Sequence, residues 1–265
     1  MNTNVIVTGA SSGIGFAIAT LLHNRGYNVM GISRTYPKQA YEFDYQLVDI
    51  TQESAINTFA KAYEASHGSL FALINCAGMG ISGAIEHTTL NEARKIFDIN
   101  VFGSFMMSKA FIPLLRSSKP SKIINISSVA SDLAIPFQTF YSMTKASINA
   151  FTKALALELK PFDIGVCAVL PGDTTTGFTK NREKSAILED ENYGNRIRRS
   201  VERMEKDEQN GKNPMTVALV VARLLKRNHV PAMKAVGFQY QLFLVLNKFL
   251  PRQWVQSILY KLYGN

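Results

Sequence analysis

Cysteine is nearly absent from this 265-residue chain. Cys76 and Cys167 stand alone, far apart and outside any CxxC spacing, which excludes a disulfide framework and suits a reducing cytoplasm. The four histidines, His23, His67, His87 and His229, are scattered, with no HExxH and no Cys/His cluster, so no metal site is expected. Long apolar runs are also missing. The longest, LFLVL at 242–246, is far too short to span a membrane. The opening residues MNTN have no basic n-region, and the apolar run Val5, Ile6, Val7 behind them is too short for a leader. Repeats, low-complexity segments and Pro/Gly-rich linkers do not occur, so one domain over 1–265 is expected.

Acidic residues are missing from one end only. Residues 212–265 hold eight Lys/Arg and no Asp or Glu, so of the net charge of +9 the tail carries +8 and the rest +1. Such a tail suits an anionic ligand, an anionic membrane or nucleic acid. Its apolar content argues against nucleic acid.

What is present is alternation. Short apolar runs at 4–8, 28–33, 45–48, 70–75, 122–127, 164–170 and 233–236 read as strands, and 14–24, 53–66, 90–115 and 140–159 read as helices. This pattern predicts an α/β fold, a Rossmann-type doubly wound parallel sheet of about seven strands with helices on both faces. Ligands of such sheets sit beyond the carboxyl ends of the strands.

The stretch VIVTGASSGIG runs from the first strand into the first helix, with Gly9, Gly13 and Gly15 spaced along it. Glycines let the backbone turn tightly and approach a pyrophosphate, and the helix start offers free N–H groups. The second strand ends in Ser33 and Arg34. A carboxylate there would accept a ribose 2′-hydroxyl; Arg34 instead offers a fork of donors to a 2′-phosphate, which points to NADP(H). Asp49, after the third strand, is placed to meet the adenine edge.

At the carboxyl edge of the same sheet, with the glycine loop, come Ser128, Tyr141 and, one helical turn on, Lys145. A free tyrosine has a pKa of about 10, and a nearby cation lowers it toward the range useful for acid/base work. Lys145 is expected to do this, Ser128 to hold the substrate oxygen, and Asn100 to hold a water linking Lys145 to solvent. Ser142 and Lys145 also fit an S-x-x-K acylase pattern, but its SDN and KTG companions and any GxSxG elbow are absent.

Taken in order, TGASSGIG at 8–15, NCAG at 75–78, DIN at 98–100, NISS at 125–128, YSMTK at 141–145 and PG at 171–172 resemble the short-chain dehydrogenase/reductase family over residues 3 to about 178. The resemblance implies Tyr141 as acid/base, Ser128 as carbonyl orienter, Lys145 on the nicotinamide ribose, Asn100 in a proton relay and Thr176 on the carboxamide. It places Ser11, Ser12, Ile14, Ile50, Asn75, Ala77, Gly78, Pro171, Gly172 and Thr174 around the nucleotide as well. Cys76 stands where the family usually has a second Asn; it is small, and no redox role is expected. The stretches GISGAIEHTT and INCAGMG, with the GISR strand end, look similar to NADP-dependent hydroxysteroid and retinol dehydrogenases. A homodimer or homotetramer through helices 90–115 and 140–159 is implied. A 3-oxoacyl thioester reductase shares the same chemistry, and a non-catalytic NADP sensor would keep only the glycine loop.

Two segments are expected to shape the substrate. Residues 173–212, polar and nearly balanced in charge, read as a substrate loop. Residues 238–265 form a basic apolar extension, with Trp254, Val255, Ile258, Leu259 and Leu262 on one helical face. It can pack on the protein, cover the pocket or touch a membrane peripherally. Small apolar residues after Asn75 and the apolar tail favour a bulky apolar substrate, steroid-like or long-chain.

Overall fold

Residues 3–264 are described by a computed structural model. Seven parallel strands form one sheet: β1 (Asn4–Thr8), β2 (Asn28–Ser33), β3 (Asp44–Leu47), β4 (Ala72–Asn75), β5 (Ser121–Ile126), β6 (Ile164–Leu170) and β7 (Met233–Ala235), in the order β3-β2-β1-β4-β5-β6-β7. The order reverses between β1 and β4, which opens the crevice where doubly wound sheets bind ligands. Helices α1 (Gly13–His23), α2 (Glu53–His67), α3 (Leu90–Phe97), α4 (Gly103–Arg116), α5 (Thr139–Leu159), the short α6 (Phe178–Asn181), α7 (Arg196–Gln209), α8 (Met215–Leu225), α9 (Phe238–Phe249) and α10 (Arg252–Tyr263) surround it. Among the described residues no helix is long and apolar enough to cross a membrane.

Strand alternation sorts the core into two layers. On β1, Val5 and Val7 turn toward Ile18 and Leu22 of α1 and Val217 and Val221 of α8. Ile6 between them turns the other way, toward Ile56 and Phe59 of α2, Phe111 of α4 and Leu155 of α5. Val5, Ile6 and Val7 have no solvent exposure, and full burial of each such side chain contributes about 1.5–3 kcal/mol.

The expected helix over 90–115 is broken in register. A capping box starts α3: the Thr89 hydroxyl accepts from the Glu92 backbone N–H at 3.2 Å, and the Glu92 carboxylate accepts from the Thr89 N–H at 2.7 Å. A π-helical turn, Asp98–Phe102, then joins α3 to α4. Segment 173–212 is also more ordered than a loop. Nearly half of it is α6 and α7; in α7, Ile197, Ser200, Val201 and Met204 form a buried stripe at helical spacing. Neither α8 nor α9 is among the sequence-expected helices.

Candidate active site

The glycine loop is built by contact, not only by flexibility. Gly9 has φ +68°, and a side chain there would stand 2.8 Å from the Ala77 Cα; one at Gly15 would stand 2.3 Å from the Gly9 carbonyl oxygen. Thr8 fixes the facing loop, its hydroxyl accepting from the backbone N–H groups of Cys76 and Ala77, both at 2.9 Å. The start of α1 has no acidic residue, and the Ser12 side chain makes no capping bond, so the first-turn N–H groups face the cleft without an internal anion. A cradle of this shape fits a dinucleotide pyrophosphate. Arg34, exposed at the end of β2, lines the same cleft.

That cleft has a volume of about 1240 Å³. It brings together Gly9, Ser11, Ser12, Gly13, Ile14, Gly15, Ser33, Arg34, Asp49, Ile50, Ala77, Gly78, Ser128, Tyr141, Lys145, Pro171, Gly172, Thr174 and Thr176. Thr176 arrives from the segment after β6 and packs against Gly13, closing the loop from the far side. Asp49 also accepts from the Thr51 N–H at 2.9 Å and the Thr51 hydroxyl at 2.8 Å, which leaves its second oxygen for a ligand.

Two of the sequence-assigned residues stand behind the wall. Asn75, 3% exposed, does not line the cleft. Its amide donates to the Asn125 side chain at 2.9 Å and to Ser108 at 3.2 Å, tying β4 to β5 and α4. Asn100 is likewise enclosed. Its amide donates to the Met79 carbonyl at 3.0 Å and the Thr144 hydroxyl at 3.1 Å, and its oxygen accepts from the Met79 N–H at 2.8 Å. With its side chain committed, Asn100 clamps the wall segment Gly78–Met79 and does not line the cleft. The π turn that carries it explains the placement, since the extra residue per turn rotates Asn100 toward Met79.

Lys145 differs from expectation in its electrostatics. Its ammonium donates to the Ile126 carbonyl at 2.9 Å and lies 5.6 Å from the centroid of the Tyr141 ring. Burial holds the lysine down at about 8, so it remains mostly protonated near neutrality. Tyr141 keeps partial exposure along the cleft, yet the protein around its phenol pushes it up to about 12 rather than down. Burial is the main cause, and a hydrogen bond with Ser128 opposes it. Glu208 and Asp173 push the same way as burial, while Arg182 pulls back. In the protein alone, then, Ser128 and Arg182 are the partners that favour the phenolate.

These last three residues were not foreseen individually. Phe178 of α6 packs its ring tilted against that of Tyr141, with centroids 5.6 Å apart. Arg182, 4% exposed, pairs with Glu208 of α7, and Glu208 also accepts from the Thr179 hydroxyl at 2.7 Å. Asp173 accepts from the Tyr240 hydroxyl at 2.8 Å and, among the described residues, has no Lys or Arg within 4.0 Å. Asp173 directly follows the PG pair and could have been singled out; Arg182 and Glu208 are 26 residues apart and meet only through α7. Burial pushes the Cys76 thiol up to about 12, so it stays protonated and unreactive near neutrality.

From the catalytic end the cleft continues between α9 and α10, lined there by Phe243, Leu246, Leu250, Val255, Leu259 and Leu262. Gly172 admits this cover, since any side chain there would collide with the Tyr240 ring.

A nucleotide cradle at the switch point of a seven-stranded parallel sheet, with a tyrosine and a lysine one turn apart beside it, defines a Rossmann-type oxidoreductase. The chain belongs to the short-chain dehydrogenase/reductase family, whose short chain dehydrogenase model matches residues 3–186. Enzymes of this family use NAD(P)(H). The chain is 37% identical over 257 residues to a 3-ketodihydrosphingosine reductase of Bacteroides thetaiotaomicron, covering 96% of each chain. It is 30% identical over 258 residues to a probable short-chain type dehydrogenase/reductase of Helicobacter pylori, covering 96% of this chain and 95% of that one. The crystal structure of a Streptomyces avermitilis short-chain dehydrogenase superposes with a TM-score of 0.84 at 28% identity, over 96% of this chain and 95% of that one.

Proposed function

We propose that this enzyme reduces the ketone of a long-chain lipid carrying an amino group beside the carbonyl, with NADPH as reductant. The observation that carries this reading is the continuity of one cleft from Tyr141 and Lys145 to the apolar walls of α9 and α10. A polar head reacts at one end and a hydrocarbon chain lies along the other. The Bacteroides relative, named a 3-ketodihydrosphingosine reductase, supports the long-chain alternative over the steroid-like one. Asp173 supports the amino group: an unpaired carboxylate on the cleft wall, close enough to Tyr141 to affect it, suits a substrate ammonium.

NADPH supplies the hydride that reaches the carbonyl carbon. Tyr141 delivers a proton to the carbonyl oxygen, and Ser128 holds that oxygen by a hydrogen bond. Lys145 contributes a positive charge beneath the ribose side of the cleft, and Arg34 takes the 2′-phosphate. Asn100 keeps Gly78 and Met79 in place. Segment 173–212 shapes the head-group end through Asp173, Phe178 and Glu208, and the extension 238–265 covers the chain. A homodimer or homotetramer is supported by Phe102 and Phe105 near the start of α4 and Leu157 of α5, which are 50%, 44% and 75% exposed.

The test is NADPH oxidation against a panel of 3-ketodihydrosphingosine, a 3-oxoacyl thioester, a ketosteroid and a small polar ketone. The long-chain amino ketone should have the highest kcat/KM. A preference for the thioester would favour the fatty-acid alternative, and no turnover with any ketone would favour the NADP sensor.

A further inference from the structure

We propose that the face formed by α9 and α10 docks the enzyme on an anionic lipid bilayer, with the mouth of the catalytic cleft against the lipid. Ten large apolar side chains between Phe238 and Leu262 remain 39–81% exposed, led by Phe249 at 81%, Phe238 at 77% and Trp254 at 64%. Single exposed apolar residues are ordinary, but this density in one short hairpin marks an interaction surface. No residue of α10 is buried, so the helix is held by its edges. The Tyr263 hydroxyl donates to Asp207 at 2.9 Å, and the Arg196 Nε donates to the Gly264 carbonyl at 2.8 Å.

Charge selects the occupant. The extension contains no carboxylate side chain, and on α10 Arg252 and Lys261 are both exposed. At about 100° per residue they flank the arc of Trp254, Ile258 and Leu262 on its two sides. An apolar arc bordered by cations, with Trp254 at its edge, matches the boundary between acyl chains and anionic head groups. A second copy of the chain is a poorer occupant, because a two-fold contact would set the same cations against each other with nothing to neutralise them. The cleft also decides: Leu246, Ile258 and Leu262 both line it and reach solvent. A protein partner there would block the entrance, whereas a bilayer would let a lipid pass into it without crossing water.

Vesicle sedimentation reads this directly and needs no substrate, so it stands or falls apart from the proposed reaction. The full-length protein should sediment at low salt with phosphatidylglycerol-containing vesicles and much less with pure phosphatidylcholine. The pair Arg252→Glu and Lys261→Glu should weaken binding at least tenfold, since each basic side chain near an anionic surface is worth about 1 kcal/mol, or roughly fivefold. The pair Phe249→Ser and Trp254→Ser should weaken it on every vesicle. Neither pair lines the cleft, so both should turn over a short water-soluble ketone at the wild-type rate, which also verifies folding. Failure of the wild type to bind anionic vesicles, or binding that survives both pairs of substitutions, overturns the proposal. So does an assembly that the Phe249/Trp254 variant splits in analytical ultracentrifugation while vesicle binding is unchanged, which would assign the face to a second copy.

Discussion

The ammonium of Lys145 donates to the carbonyl of Ile126 at 2.9 Å while standing 5.6 Å from the Tyr141 ring centroid. The lysine is anchored to the end of β5 rather than to the tyrosine one turn away. Sequence spacing made them neighbours; the strand end decided where the charge points.

Anchoring a buried cation leaves a signature in stability. Lys145 is held at about 8, against about 10.5 in an unfolded chain. Between these values the unfolded state binds the extra proton, so wild-type stability rises with pH across that window. A Lys145→Met protein lacks this titration. Denaturant melts of the two at pH 7.5 and 10.5 should show the wild type gaining on the variant by roughly 3 kcal/mol. Parallel pH curves would rule out a depressed lysine.

Tyr141→Phe should remove nearly all turnover. General acid catalysis is worth about 10²–10⁴ in rate, and among the described residues no other phenol adjoins Ser128. NADPH affinity, read by fluorescence titration, should stay within a few-fold, because the cradle of Gly9, Gly13 and Gly15 is untouched. More than a tenth of wild-type kcat would remove Tyr141 from its role.

Arg34→Ala should raise KM for NADPH by about ten- to a hundredfold, since a charge-assisted contact contributes about 1.5–3 kcal/mol. KM for NADH should hardly change. Wild-type enzyme that uses NADH as efficiently as NADPH would refute the cofactor assignment.

Asp173→Asn should cost the amino ketone at least tenfold in kcat/KM and leave a long-chain ketone without the amino group nearly unaffected. A charge-assisted hydrogen bond of about 1.5–3 kcal/mol sets that scale. Equal losses on both substrates would make Asp173 an anchor for Tyr240 only.

Much of the molecule follows from local rules. Runs such as NVIVT and IGVCAVL have strand length and apolar content, and their alternation with helical stretches requires a parallel sheet. The TGASSGIG turn and the Tyr141–Lys145 spacing mark the cleft because close backbone approach and one-turn adjacency are short-range properties. Spacing alone did not show that the amides of Asn75 and Asn100 face inward to β5, α4 and Met79. Nor does spacing show that burial raises the Tyr141 phenol in the protein, because a pKa depends on everything packed around the group.

By itself the sequence determined the fold, the nucleotide turn, the gathering of Ser128, Tyr141 and Lys145 on one cleft and the basic apolar character of the extension, since each is a matter of periodicity, spacing or composition. Only the tertiary structure decided that Asp173, Phe178, Arg182 and Glu208 meet around Tyr141, and that α9 and α10 prolong the catalytic cleft while leaving an apolar face exposed. Those contacts join residues up to 67 positions apart. Such distant pairs are brought together by the sheet edge and the packing of α7, α9 and α10, and no local pattern encodes them.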